Sequence, residues 1–312
     1  MPSSPIIAIV GPTASGKSAL AVRLAKKFGG EIISADSRQV YRGLDIGSGK
    51  VLRDKLSKRY KLEPRSYLHQ GIPHHLLDVA SPRRQFSVAQ YQKLGSRVIE
   101  QIIKRGKLPI VCGGTGFYVE ALLKNYTLPP VPPNLKLRAK LEKLPTEKLG
   151  EKLEILDPER FQNIDVKNRP RLIRAIEIAA ALGEVPPLET KARPWHWLTI
   201  GIKVDPEKLR QKIKARLTTR LRAGLINEVK NLHRNGLSWK RLESFGLEYA
   251  HIARFAQHSV SHRLPSDLID KLETDIWHYA KRQMTWWRRD PTIHWIKNYR
   301  EATQLTRDFL KK

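Results

Sequence analysis

Ile6-Ile7-Ala8-Ile9-Val10 runs without a break into Gly11-Pro12-Thr13-Ala14-Ser15-Gly16-Lys17-Ser18. An apolar run rich in β-branched residues reads as a buried strand. The eight residues after it have the form G-x-x-x-x-G-K-[ST], a loop that wraps phosphates. Its glycines permit tight turns that aim successive backbone N–H groups into one concavity. The helix expected next adds the positive end of its dipole. Lys17 brings a mobile positive charge and Ser18 a hydroxyl for Mg2+. A chance match in a Gly-rich turn is the alternative, and the flanking strand and helix argue against it. A polyphosphate is therefore expected here, its identity left open.

Working outward, residues 19–28 pattern as a helix with Leu20, Ala21 and Leu24 on one face, closed by Gly29-Gly30. Glu31-Ile32-Ile33-Ser34-Ala35 reads as a second strand, delivering Asp36-Ser37-Arg38-Gln39 at its C-terminal end. Ligands sit at that end in open α/β sheets. An acid in this position is a base, a Mg2+ ligand or a helix N-cap. Residues 45–75 are polar, basic and punctuated by Gly and Pro, which predicts loop with short helix. Adjacent histidines seldom chelate one ion, and no ligand spacing accompanies His74-His75, so both are assigned to structure. A helix over 88–105, closed by Gly106, precedes a third strand, Leu108-Pro109-Ile110-Val111-Cys112. It leads into Gly113-Gly114-Thr115-Gly116, whose glycines allow close backbone approach to a ligand.

The composition changes at Leu128-Pro129-Pro130-Val131-Pro132-Pro133, a stiff linker that continues neither a helix nor a central strand. Residues 135–144, 146–156 and 171–182 have helical patterning, and Pro186-Pro187 and Pro194 mark the exit. The expected organisation is an all-helical insertion, 130–194, in an α/β core made of 1–129 and 195–312. Arg171 and Arg174 lie three apart on one helix face, either solvated or suited to a phosphate backbone. The core resumes with a strand over 197–204, then Asp205-Pro206 as N-cap and first helical residue. Lys212, Arg216 and Arg220 recur every four residues; such a stripe is a wet face or aims a guanidinium at bound phosphate. A last long helix over 267–288 spaces Ile269, Leu272, Ile276, Ala280 and Trp287 for the core. Its end interleaves aromatics with bases, and the tryptophans there read as core.

Among 312 residues, 58 Lys and Arg face 30 Asp and Glu, a net charge of +28. Hydrophobic content of 40% with 28% charged residues is ordinary for a globular protein; the charge is not, and implies a polyanion, nucleic acid before anionic membrane. No apolar run approaches the roughly 20 residues that span a bilayer, and the opening residues leave no room for a signal peptide. The single cysteine, Cys112, excludes an internal disulfide and a multi-cysteine zinc site. A reducing, cytoplasmic setting is expected. Two functions fit: a kinase or NTPase, the commonest use of such a loop, or a transferase acting on nucleic acid whose diphosphate belongs to the donor.

The loop of residues 11–18, the block 33–47, Pro73-His74-His75-Leu76-Leu77-Asp78, Val111 to Gly116, residues 168–177 and Tyr279-Ala280-Lys281-Arg282-Gln283-Met284-Thr285-Trp286 together resemble the tRNA dimethylallyltransferase (isopentenyltransferase) family, in family order over nearly the whole chain. The resemblance implies a P-loop α/β fold, with a parallel sheet flanked by helices. It also implies transfer of a dimethylallyl group from dimethylallyl diphosphate to the exocyclic amine of the adenosine 3′ of a tRNA anticodon. By that resemblance Asp36 is the general base, and Lys17, Ser18-held Mg2+ and Arg216 neutralise the departing diphosphate. Residues 11–18 hold the donor, Thr13 among its contacts. Thr115 and Arg138 match channel or transition-state positions. Asp36, Ser37, Arg38, Gln39, Arg171, Arg174 and Arg282 match positions facing tRNA. The target base would flip into a channel, the insertion would clamp the anticodon arm, and the protein would act as a monomer without a membrane. Two departures stand out: Leu247-Glu248 replaces the Tyr-Arg or Tyr-Lys that follows Gly in many bacterial members, putting a phosphate contact there in question, and residues 50–72 form a longer segment than in compact members.

Overall fold

The computed structural model describes residues 3–55, 66–259, 261 and 263–311. Contacts divide the chain into two compact units, Met1–Asn125 with Ala192–Lys312, and Tyr126–Lys191.

In the first unit β1 (Ser4–Val10), α1 (Lys17–Phe28) and β2 (Gly30–Ser34) are followed by β3 (Ser66–His69), β4 (Ile72–His75), α2 (Val88–Lys104), β5 (Leu108–Cys112) and α3 (Gly116–Leu123). The second unit contains α4 (Leu135–Leu141), α5 (Thr146–Leu156), α6 (Pro158–Gln162) and α7 (Arg169–Leu182). The first then resumes with β6 (Trp195–Ile202), α8 (Pro206–Arg222), α9 (Leu225–Arg234), α10 (Trp239–Glu243), α11 (Leu247–His258), α12 (Ser266–Trp287), β7 (His294–Ile296) and α13 (Tyr299–Leu310).

The seven strands form one sheet in the order β3-β4-β2-β5-β1-β6-β7. All pairs are parallel except β3 with β4. The apolar run of β1 is explained by burial on both faces, as a central parallel strand requires. Ile6, Ala8 and Val10 join one hydrophobic cluster with residues of α2 and α3, while Ile7 and Ile9 join another with α1.

The expectation of loop with short helix over 45–75 is corrected over 66–75 by the β3–β4 hairpin. It turns on Gln70-Gly71, both with positive φ (51° and 76°), the backbone that two-residue hairpins favour. His69, Pro73, His74 and His75 made these short strands unreadable as an apolar pattern. Part of the segment 50–72 noted as long, residues 56–65, lies outside the described residues. Both histidines do have structural surroundings. His75 is fully buried, and its Nε2 lies 2.6 Å from Glu31 Oε2 on β2. Arg105 donates to the same carboxylate at 3.1 and 2.8 Å. These partners outweigh desolvation and hold the Glu31 carboxyl down at about 2. Burial pushes His74 down to about 4.

The helical unit has its own core of Leu141, Leu149, Leu153, Leu172 and Ile176. In the same unit Glu177, 2% exposed, accepts two bonds from Arg138 (2.8 and 2.6 Å), one from Arg174 (3.3 Å) and the backbone N–H of Asn134 (2.7 Å). A buried carboxylate is tolerated when its lone pairs are taken this fully. The short α6, unforeseen because it is only five residues long, is capped by Asp157, which also accepts the Val185 N–H.

Candidate active site

The C-terminal ends of β1 and β2 open onto a cavity of about 360 Å³. Its walls come from the phosphate loop, the turn after β2, residues 47–51, and the inner faces of α8, α11 and α12.

Gly11 and Gly16 take φ of 147° and 94°, as the tight turns of the loop demand. Lys17 opens α1, its Nζ donating to Pro12 O at 3.0 Å. Desolvation, reinforced by the neighbouring Arg216, lowers Lys17 to about 8. Ser15 Oγ is buried with no hydrogen-bond partner among the described residues. Arg216, from the cationic stripe of α8, donates to Thr13 Oγ1 at 3.0 Å. Burial first, then Arg220, lowers it to about 10. Lys212, Arg216 and Arg220 all line the cavity, so the stripe is not merely a wet face.

Asp36 sits where β2 ends. Its Oδ1 accepts the N–H groups of Arg38 (2.9 Å) and Gln39 (3.2 Å), an Asx-type turn that fixes the carboxylate. Oδ2 takes no protein partner among the described residues. Behind it, Thr115 Oγ1 accepts the Ser37 N–H at 3.0 Å, tying the β2 turn to the glycine loop after β5. Gly113 makes this approach possible: a Cβ there would lie 2.1 Å from Ala35 O. Gln39 is spent internally, accepting from Ser34 Oγ and donating to the carbonyls of Ser48 and Gly49.

Three lining residues were given no role in the site by the sequence reading. Gln283 of α12 accepts the Thr13 N–H at 2.7 Å and donates to Gly114 O at 2.8 Å, stapling the phosphate loop to the β5 loop. Glu248, 3% exposed at the start of α11, takes Arg38 on Oε2 (3.0 Å) and Arg220 on Oε1 (2.6 Å). Tyr279 lies under the Arg38 guanidinium, 5.4 Å from ring centre to Cζ, and burial raises its phenol. Glu248 also resolves the departure noted at Leu247-Glu248: that position carries a carboxylate committed to two arginines.

The remaining sequence candidates are dispersed. Arg282 is exposed on α12, its guanidinium 5.9 Å from the Tyr279 ring centre. Arg171 is exposed on α7. Arg174 and Arg138 are tied to Glu177, and Arg174 also donates to Val131 O. Arg171 and Arg174 therefore do not present two equivalent solvated cations. No group of three His, Cys, Asp or Glu side chains able to hold a metal exists among the described residues. Ser18 and Asp36 both line the cavity, a donor set suited to a Mg2+ that keeps its waters and binds chiefly through phosphate oxygens.

Residues 39–290 match the model of the IPP transferase family. A protein named tRNA dimethylallyltransferase 1 from Syntrophus aciditrophicus is 45% identical over 285 residues, which cover 91% of this chain and 89% of the relative. The crystal structure of the full-length tRNA isopentenylpyrophosphate transferase of Bacillus halodurans superposes with a TM-score of 0.69 at 31% identity, covering 99% of this chain and 96% of that one. A eukaryotic dimethylallyltransferase acting on tRNA shares the fold at a TM-score of 0.75 and 24% identity, covering 99% and 80% of the two chains. No helix among the described residues is long and apolar enough to cross a membrane.

Proposed function

The chain belongs to the IPP transferase family, and from that premise we propose that it transfers a dimethylallyl group from dimethylallyl diphosphate to the exocyclic amine of an adenosine in tRNA, beside the anticodon, acting as a monomer on the anticodon arm. One observation carries the reading: a fixed carboxylate, Asp36, shares a single cavity with the phosphate loop, Lys17 and Arg216.

The chemistry needs both halves. As the donor's C1–O bond breaks, its electron pair leaves on diphosphate, and the allylic carbon gains cationic character. Loop N–H groups, Lys17 and Arg216 stabilise that departing charge. Ser18 is the residue that would hold a Mg2+ ion, which would supply further neutralisation of that charge. The adenine nitrogen forms the new C–N bond, and its proton passes to Asp36, whose Oδ2 is the oxygen left for the task. Desolvating the cations strengthens their hold on the diphosphate. Reaching this cavity requires the base to leave its stack. ATP is not consumed in this scheme. The exposed Arg171 of α7 and Arg282 of α12 are assigned to the RNA backbone.

The test is an incubation with unmodified tRNA, dimethylallyl diphosphate and Mg2+, followed by nucleoside mass analysis. A prenylated adenosine is expected, and Asp36→Ala should slow its formation by roughly 10²–10⁴ while leaving tRNA affinity little changed. If no adenosine is prenylated while ATP is hydrolysed or a small molecule phosphorylated, the kinase alternative replaces this reading.

A further inference from the structure

Two guanidinium groups meet beside Gly49. A Cβ on that residue would come within 2.0 Å of Arg220 Nη2 and 2.1 Å of Arg216 Nη2, so the two arginine ends lie side by side in the space a side chain would fill. Both line the cavity that begins at the phosphate loop. Like charges set this close in a half-desolvated wall repel each other, and an anion shared between them relieves that repulsion. One carboxylate is present, but it is placed asymmetrically. Glu248 binds Arg220 at 2.6 Å and Arg38 at 3.0 Å; no ion pair to Arg216 exists among the described residues. Arg220 gives one Nη1 donor to Glu248, and a guanidinium has five donors in a rigid fork.

Resting on the reading above, we propose that Arg220 is a second guanidinium ligand of the donor's diphosphate, set beside Arg216 by Glu248, which acts as a positioning residue. A carboxylate behind Arg220 does two things. It fixes one edge of the guanidinium so that the other faces the anion, and it offsets part of the charge that would otherwise expel Arg220 from beside Arg216. Loop 47–49 takes part by omission. Glu228 accepts the N–H groups of Asp45, Ile46 and Gly47 at 3.0, 2.6 and 3.1 Å and the Tyr249 hydroxyl at 2.8 Å. That arrangement holds the loop so that Gly49 lies where the two arginines need room, while Gly47 packs against the Tyr249 ring.

The experiment measures inorganic pyrophosphate binding by calorimetry, with Mg2+, and separately the KM values for dimethylallyl diphosphate and tRNA. Arg220→Met is expected to weaken pyrophosphate binding and raise the donor KM by roughly 10- to 100-fold, the size of a lost charge-assisted hydrogen bond, with the tRNA KM held within about twofold. Arg220→Lys should recover part of the loss. Glu248→Gln should weaken pyrophosphate binding less than Arg220→Met, and Glu248→Asp should restore some of it. Because Arg220→Met leaves Glu248 with Arg38 alone, the double variant Arg220→Met/Glu248→Gln removes both charges and guards against simple unfolding. Unchanged pyrophosphate affinity in the folded single or double variant, or a rise confined to the tRNA KM, would overturn the proposal. The binding arm does not depend on prenyl transfer. A wild-type protein that binds pyrophosphate but prenylates nothing would contradict the proposed reaction while still testing Arg220.

Discussion

Lys17 shows how one side chain's surroundings set the working range of the site. Burial and Arg216 hold its ammonium at about 8 instead of 10.5. The direction follows from desolvation, which disfavours the charged form of a base. Without donor, Lys17 is therefore charged below pH 8 and neutral above it; a bound diphosphate favours the charged form and draws the proton back. The KM for dimethylallyl diphosphate should be flat below pH 8 and rise above it, by roughly tenfold at pH 9 if this single protonation is required. Initial-rate measurements across that range check the prediction. In Lys17→Arg, whose side chain stays protonated, the rise should disappear even if the absolute rate falls. A wild-type KM that stays flat to pH 9 would mean that another group carries the charge. For stability the sign is opposite to that of a Lys gaining a partner. With the folded value depressed, the unfolded chain binds more protons between about 8 and 10.5, so this group's penalty on folding shrinks as pH rises through that window.

At the scale of elements, α12 is the one that ties the site together. Gln283 on its inner face accepts from the phosphate loop and donates to the loop after β5. Gln283→Leu leaves the Thr13 N–H and the Gly114 carbonyl without this partner, at a cost of about 1–3 kcal/mol for each buried group so stranded. Gln283→Glu keeps an acceptor for Thr13 but loses the donor and places a negative charge beside the donor site. Denaturant unfolding should register Leu as the more destabilising change, and the donor KM should rise more in Glu. The same KM in both variants would remove Gln283 from the binding wall. This helix also marks the limit of what the sequence discloses. Central strands β1 and β5 are legible because burial on both faces writes a nearly continuous apolar run, and β2 and β6 because shorter apolar stretches remain around their polar residues. The phosphate loop, Asp36 and the Lys212–Arg216–Arg220 stripe are legible because each is a local pattern. Gln283 meets Thr13 across 270 residues, and Glu248 meets Arg38 across 210. Neither partner lies within a sequence window, and each resembles an ordinary polar residue of an amphipathic helix. The β3–β4 hairpin was hidden for another reason: four-residue strands carrying histidine and proline lack the alternation by which a strand is read.

Over the whole molecule the excess of 28 positive charges is far larger than the cavity can account for. A diphosphate needs only a few cations, and Glu177 and Glu248 each absorb two arginines locally. The remainder is spread over the surface, where exposed cations release counterions when they meet phosphates. Affinity for tRNA should therefore fall linearly in log K against log[salt], losing at least about tenfold between 50 and 200 mM if only a handful of phosphates are contacted. The donor KM should respond much less, because Lys17 and Arg216 act inside a cavity where ionic screening is weak. Filter binding of tRNA and donor-saturation kinetics, run over the same salt series, separate the two. Charge changes at exposed positions should lower the slope in proportion to the contacts removed, so Arg171→Ala is expected to reduce it by about one unit per phosphate lost while leaving donor KM unchanged. A flat tRNA response would mean that the surface charge serves something other than RNA. Equal slopes for tRNA and donor would mean that the cavity is wetter than its buried arginines imply, and the neutralisation of the leaving diphosphate would then need a different source.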